Sequence, residues 1–398
     1  MYRYKTKRPF HFRLIMKIKL RYLVPSLLVL SSGSFAASHA VEARGDAMGG
    51  TGVVSANYLT APFYNPAIVA IYRRNDDAGM ILPSIGFTYD DPDDIAGTLD
   101  DIGGLIDRLS GGDASVAPEL QNHLDDLQGT EINANIGGAV AFGIPNKYMS
   151  MNLFGKTYAE VYAAPAIETS GATVLQNAQR STVDIVTVAV TEVGLSLAKY
   201  QTFMGQHVSF GISPKLQYIN TYVYEASLEN YDITDADKNG KGDTAINLDF
   251  GALWFYGPLR IGFAATNLIS KDIQTARVAS NIAGKSDLQY AYKLGPQYTV
   301  GVGVIGDYLS VSADLDLNEE EHYTGFDDNT QMLRIGGEID LRQMKLRAGY
   351  KKNLAYSDSE NTFTAGAGVA ILGLEVDVAG SYTNSNAMGA YINFLASY

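Results

Sequence analysis

Along most of the chain, apolar and polar residues alternate with period two. From Val208 to Tyr218 one face carries Val208, Phe210, Ile212, Pro214, Leu216 and Tyr218, and the other carries Ser209, Gly211, Ser213, Lys215 and Gln217. Successive side chains of a strand point to opposite faces, so this pattern predicts a strand with one apolar and one polar surface. The same split recurs over Ile246–Trp254, Leu309–Leu317 and Leu374–Tyr382. Fourteen strands are predicted: 78–89, 131–144, 148–162, 182–198, 207–224, 245–256, 259–267, 290–304, 308–317, 330–341, 345–352, 362–371, 374–382 and 387–398.

Alternation alone does not separate a soluble sandwich from a membrane barrel, but three further features do. The apolar faces carry no charge over many consecutive positions, whereas the opposite faces hold Lys215, Asp249, Arg260, Asp314, Glu338, Arg347 and Asp377. A Lys or Arg facing lipid near the midplane costs roughly 2–4 kcal/mol, while a water-filled lumen tolerates charge. Short turns (Pro145–Lys147, Gly257-Pro258, Ile305–Asp307) alternate with loops that are mostly long (90–130, 163–181, 225–244, 268–289, 318–329, 353–361). Such rims are those of a bacterial barrel with periplasmic turns. The chain also stops on an alternating strand, Ala390, Ile392, Phe394, Ala396 and Tyr398, in which Phe394 and Tyr398 resemble the assembly signal of outer-membrane barrels. Tyr148, Tyr162, Tyr222, Tyr224, Tyr256, Tyr290, Tyr350, Tyr382 and Trp254 fall near strand ends, as aromatic girdles would. The expected fold is all-β: an antiparallel transmembrane β-barrel of about 14 strands in the bacterial outer membrane. Outer-membrane lipid, lipopolysaccharide and the barrel assembly machinery are its expected partners. Pro214 and Pro296 interrupt strands, so a bulge or wall break is expected at each.

Residues 1–40 stand outside this pattern. Met16 precedes Lys17, Lys19 and Arg21, an apolar run over Leu23–Leu30, and small residues ending in Ser38-His39-Ala40. This order reads as a secretory signal peptide; Met1–Ile15 is either an upstream misassigned start or an extended signal region. Without the eight Lys/Arg of residues 1–40, 22 basic side chains face 43 acidic ones, a net charge of −21. That balance argues against direct contact with nucleic acid. Cysteine is absent, which excludes disulfide exchange.

Between Val41 and Asp77 strand periodicity fades, and Arg44-Gly45-Asp46-Ala47-Met48-Gly49-Gly50-Thr51-Gly52 is followed by Phe63-Tyr64-Asn65-Pro66-Ala67. Glycine at this density permits tight turns and close approach of other segments, and a fourteen-strand barrel is wider than those filled by side chains alone. Residues 41–77 are therefore expected to form an N-terminal hatch or plug, with 78–398 as the barrel. The glycine-rich stretch and the Asn-Pro-Ala motif resemble the hatch of FadL-type outer-membrane transporters of hydrophobic compounds. Over most of the mature chain, RGDAMGGTG, TEVGLSLAKY (191–200), VSFGISPKLQYINTYVY (208–224), FAATNLIS (263–270) and LRAGYKKN (346–353) are similar to the TraF-type conjugal (plasmid) transfer proteins. The first resemblance implies passage of small hydrophobic compounds past a hatch built on Arg44, Gly45, Gly49, Gly50, Gly52, Asn65, Pro66 and Ala67. The second implies an accessory or assembly role in a conjugal transfer or pilus apparatus. A structural or adhesive surface barrel is a third expectation, resting on the acidic loops.

The loop 90–130 carries eleven acids and one Arg. Ile95, Leu99, Ile102 and Ile106 share one helical face, as do Leu120, Leu124 and Leu127, predicting two amphipathic helices that cap the barrel mouth. Asp235, Asp237, Asn239 and Asp243 supply oxygens at calcium-loop spacing around Gly240, but Ile246 stands where the bidentate Glu belongs. Calcium there competes with a solvated Asp/Asn/Gly turn. Gly301–Gly306 fits G-x-G-x-x-G, yet another strand follows where the dinucleotide motif needs a helix. His123, His207 and His322 sit in no catalytic motif, so no enzyme activity is expected.

Overall fold

A computed structural model describes residues 42–397, apart from 73–77, 92, 229–236, 281, 283, 327 and 358. The expected leader with its start at Met16 lies outside the described residues, as do Asp235 and Tyr398. The alternating stretches form β1 (Gly79–Asp90), β2 (Ile132–Ile144), β3 (Ser150–Ala166), β4 (Thr182–Phe203), β5 (Gln206–Ser227), β6 (Lys241–Tyr256), β7 (Leu259–Thr266), β8 (Lys271–Gln274), β9 (Ala291–Leu294), β10 (Gln297–Ile305), β11 (Leu309–Asp316), β12 (Met332–Asp340), β13 (Met344–Asn353), β14 (Asn361–Ile371), β15 (Leu374–Asn384) and β16 (Ala387–Ser397). Fourteen of these close into an antiparallel barrel, β1 pairing with both β2 and β16. Closure leaves no strand edge unpaired. β8 and β9 form a separate two-stranded sheet between β7 and β10.

The wall is inverted relative to a water-soluble protein. Ile246 is 73% exposed and Leu309 58%, both on the outer face, whereas Asp249, Asp314 and Asp377 on the inner face are almost fully buried. Apolar outside and charged inside is the arrangement hydrocarbon selects. Two of the tyrosines expected in girdles face inward instead. Tyr162 is buried beside Tyr323, and the Tyr290 hydroxyl donates to Asp184 at 3.1 Å.

The prolines interrupt the wall in three different ways. At Pro214 the β5–β6 ladder is intact, with Pro214 opposite Leu248. Toward β4, pairing stops after Gly194–Lys215 and resumes at Leu197–Ile212 in the same register, so there is a gap and no bulge. The Ser196 and Ser213 hydroxyls, 2.6 Å apart, bridge that gap. The strand expected over 290–304 is in fact two elements, and Pro296 lies between β9 and β10. There Asn318 does the work of a neighbouring strand: its Nδ2 donates to the Pro296 carbonyl (3.0 Å) and its Oδ1 accepts from Tyr298 N (2.9 Å). The true bulge is at Pro83-Ser84 in β1, where the register shifts against both neighbours. Ser84 Oγ accepts from Ala139 N at 3.0 Å, replacing a ladder bond. On the lipid side of this fault lies a groove of about 630 Å³ with a mainly apolar lining that includes Ile85, Ile136, Val140 and Val193.

The acidic loop folds into α2 (Ile95–Ser110) and α3 (Ala117–Asp126), following α1 (Ala43–Ala47) in the N-terminal segment and preceding α4 (Val174–Arg180). Their apolar faces are buried against Ile132, Ala163, Val183 and Ile185. Val183 and Ile185 share strand parity with the lipid-facing Val193 and Leu195, and the β3–β4 register is continuous. The helices therefore cover the outer face of the long β2–β4 extensions rather than capping the mouth. The mouth is filled instead by the described residues of 267–296 and 318–330, among which Ile273, Leu288, Tyr292, Tyr323 and Phe326 pack against the inner wall.

Candidate functional site

The lumen contains two fillings, one above the other. At the rim of short turns it holds residues 42–72, built from the two sequence motifs. Glu42 caps α1, its carboxylate accepting from Arg44 N (3.0 Å) and Gly45 N (2.8 Å). Gly49 and Gly50 have φ of 72° and 83°, the left-handed region that glycine enters freely, and turn the chain after α1. Side chains at Gly45 and Gly52 would collide with the Tyr64 ring, so the first motif leaves room for the second. Asn65 ties them together. Its Oδ1 accepts from Ala67 N (3.0 Å), capping the 3₁₀ turn that Pro66 opens, while its Nδ2 donates to Val53 O at 2.8 Å. Ser209 of β5 then donates to Ala67 O at 2.7 Å.

The wall is shaped to this segment by glycines that sequence reading did not single out. Gly251 faces Asn65, Gly262 faces Val53, Gly336 faces Met48, Gly349 faces Gly49 and Gly366 faces Ala47. At each of these a β-carbon would meet the segment within 3 Å. The signal was present as glycines on the polar face of β6, β7, β12, β13 and β14.

Charge fixes the segment further. Arg44 makes a two-pronged pair with Glu338 of β12 (3.0 and 2.9 Å) and donates to Ser55 O at 2.8 Å. Glu338 also accepts from Arg347 of β13 at 2.6 Å, and Arg347 reaches Asp377 of β15. Asp314 Oδ2 accepts from Gly52 N (2.7 Å) and Val53 N (3.0 Å). Of the luminal charges expected to stand in water, Asp314, Glu338, Arg347 and Asp377 are thus paired and buried. Arg260 donates to Val54 O at 3.0 Å, and Lys215 lies between Glu192 (3.3 Å) and Asp249 (3.0 Å). Burial pushes the carboxyls of Glu42 and Asp46 each up to about 7.

The second filling comes from the long-loop rim. The β8–β9 sheet and residues 318–330 place Tyr292, Tyr323 and Phe326 against Tyr162, Val186, Val188, Val190, Ile219 and Val223 of β3–β5. His322 is buried with its Nδ1 3.3 Å from Glu160 and its Nε2 3.9 Å from Glu320. Burial would lower its pKa, but Glu160 outweighs that and holds it up to about 9. His123 is on α3 and His207 on β5, so the three histidines lie on separate elements.

Of the calcium-spacing residues, Asp237, Asn239 and Asp243 are described. Asn239 Nδ2 donates to Val223 O at 2.9 Å, and Asp243 accepts from Lys271 Nζ at 2.7 Å. A cation there would have to displace Lys271. Among the described residues, no group of three or more His, Cys, Asp or Glu could hold a metal ion. Phe394 lies on the outer face of β16, opposite Leu82 and Val376.

Comparison with known proteins places this architecture. No curated protein matches the sequence. The toluene transporter TbuX of Ralstonia pickettii superposes with a TM-score of 0.54 at 15% identity, covering 90% of this chain and 97% of that one. A FadL homologue of Pseudomonas aeruginosa superposes with a TM-score of 0.51 at 11% identity, covering 92% and 99%. The fold is thus that of the FadL-type outer-membrane barrels. Residues 62–316 match the family described as "F plasmid transfer operon, TraF, protein", and the chain belongs to that family.

Proposed function

We propose that this barrel is a non-enzymatic channel of the outer membrane that passes small hydrophobic compounds, with residues 42–72 as its hatch. The observation that carries the reading is the two-motif segment seated inside a closed fourteen-strand wall, in a fold shared with a toluene transporter. Two physical features support it. An apolar luminal surface stands beside the in-folded segments at the mouth, and the apolar groove at the Pro83-Ser84 fault offers a lipid-side surface. A hydrophobic compound prefers hydrocarbon to water, so a route leading sideways toward lipid is downhill for it. Lipid, lipopolysaccharide and the barrel assembly machinery are the partners this role requires.

The test is uptake of radiolabelled toluene by cells with and without the chain, each with intact lipopolysaccharide. Faster uptake with the chain supports the channel; equal rates overturn it. The family description favours a second reading, an accessory protein of conjugal transfer. Unchanged plasmid transfer in a strain lacking the chain would remove that one.

A further inference from the structure

The upper lumen holds the feature that the channel reading leaves unexplained. Val186, Val188 and Val190 of β4, with Ile219 and Val223 of β5, form a fully buried apolar face on the inner wall. Elsewhere in the lumen the inner faces of β3–β6 carry Lys156, Glu192, Lys215 and Asp249. The wall itself is held by its ladder and its outer face, so this inward patch serves what covers it.

What covers the patch is a set of aromatic rings from the in-folded loops. Tyr323 lies 5.4 Å from Tyr292 and 6.2 Å from both Tyr162 and Phe326, ring centre to ring centre. These are edge-on spacings at which aromatic rings attract. The Tyr323 hydroxyl donates to Thr187 O at 2.9 Å. The strand carbonyl thus receives a phenol, set in an otherwise apolar slot.

The cover is latched rather than continuous with the wall. Lys285 Nζ reaches Thr182 Oγ1 (2.7 Å) and Asp184 (3.1 Å) of β4 and Glu225 (2.8 Å) of β5. Lys285 is partly exposed at the rim while Asp184 and Glu225 beneath it are largely buried, so a few charged contacts hold the loops over the patch.

We propose that this patch is a binding site for a single phenol-type ring, occupied in the resting protein by the Tyr323 side chain. The inference rests on the channel reading above and names its ligand class. A free phenol can reproduce both the ring contacts and the bond to Thr187 O, whereas an unsubstituted ring reproduces the ring contacts alone. Since only protein with the loop displaced can bind, the apparent affinity of the wild type is reduced by the fraction displaced.

The test uses the full chain in lipid nanodiscs, with p-cresol, the free equivalent of the tyrosine side chain, and toluene as probes. Tyr323→Ala is expected to show saturable one-to-one binding of p-cresol, about tenfold tighter than the wild type, because the ring-sized space stands vacant and no loop competes. Toluene is expected to bind it more weakly than p-cresol. Adding Val188→Phe refills the space and is expected to abolish the binding. Lys285→Met, which leaves the rings in place, is expected to tighten p-cresol binding to the wild-type site by loosening the latch; it also carries the test if Tyr323→Ala does not fold.

Partitioning proportional to lipid alone in folded Tyr323→Ala would overturn the site. So would saturable binding indifferent to Val188→Phe, or an unchanged affinity in Lys285→Met. Uptake of toluene by wild-type cells without p-cresol binding in these variants would remove the site and leave the channel. Binding without uptake would do the reverse.

Discussion

Glu338 is the residue on which the lower filling turns, because it faces two arginines that arrive from different directions. Arg44 comes from the N-terminal segment and Arg347 from the adjacent strand, and each bonds Glu338 at 3.0 Å or less. Arg347 keeps its direct contact with Asp377 if the glutamate is lost, whereas Arg44 loses its directly bonded carboxylate and keeps its bond to the Ser55 carbonyl. A buried charge stripped of its counter-ion costs about 3–5 kcal/mol. Glu338→Gln should therefore unseat residues 42–56 more than Arg44→Met, which leaves Glu338 with Arg347 and costs roughly 1–3 kcal/mol. Hydrogen exchange of those backbone amides, read in barrels that still migrate as folded, would check the order; equal protection in both variants would refute it. Shape sets a second limit. A β-carbon at Gly349 would strike the backbone of Met48 and Gly49, which cannot move aside as a side chain can. Gly349→Val should displace the segment at a cost of roughly 1–3 kcal/mol or more, visible as new protease cleavage within 42–72. Gly380→Ala, whose nearest neighbour is 3.7 Å away, should leave it uncut.

Among the elements, the in-folded segment 318–330 carries a pH dependence whose sign is fixed. His322 is held up to about 9 because Glu160 outweighs its burial. Its contribution is complete below about 6.5, its ordinary value, and is lost as pH rises through 9. Burial raises the carboxyls of Glu320 to about 7 and Asp328 to about 6. A buried acid favours the folded loop while neutral, so these contributions too fade as pH rises. All three act in one direction: the segment should be seated at pH 6 and loosened by pH 9.5. Proteolysis of the loop at the two values would show it, and cleavage that falls with rising pH would contradict it. The same segment marks how far the sequence could be read. The fourteen wall strands were legible because each must keep one face free of charge, and period two records that constraint directly. The mouth was not, because β8 and β9 are four residues each, too short for alternation to register. Tyr290 and Tyr292 read as strand residues of 290–304, and Pro296 was the one local hint that the strand was two. The bulge at Pro83-Ser84 escaped for the opposite reason: alternation on either side of it is good, and only the change of parity, Ile81 inward and then Ser84 inward, betrays it. The motif residues Gly45, Gly52 and Asn65 were found by density and resemblance, while the wall glycines that face the segment were single glycines in five well-patterned strands.

For the whole molecule, the arrangement of the two fillings decides how the lumen can open. The N-terminal segment is tied to the lower wall through Glu338, Asp314 and Thr364, and the loop segments to the upper wall through Asp184, Glu225 and Glu160. None of the bonds that hold one filling passes through the other among these contacts. On the channel reading they would act as two gates in series, each latched separately, so that removing one leaves the other in place. Deleting residues 42–72 alone should therefore produce little ionic current in a planar bilayer, because the aromatic cluster still closes the upper half. Freeing the loops alone, by Lys285→Met with Tyr323→Ala, should also give little, because the hatch remains seated on its glycine-lined wall. The combination should conduct steadily, since the inner wall then exposes Lys215, Asp249, Arg334, Glu338 and Arg347 to water that solvates them readily. If the hatch deletion alone conducts as well as the combination, the loops are not a second gate. The upper site would then be open to solvent at rest, and the tyrosine that fills it would be packing rather than competition.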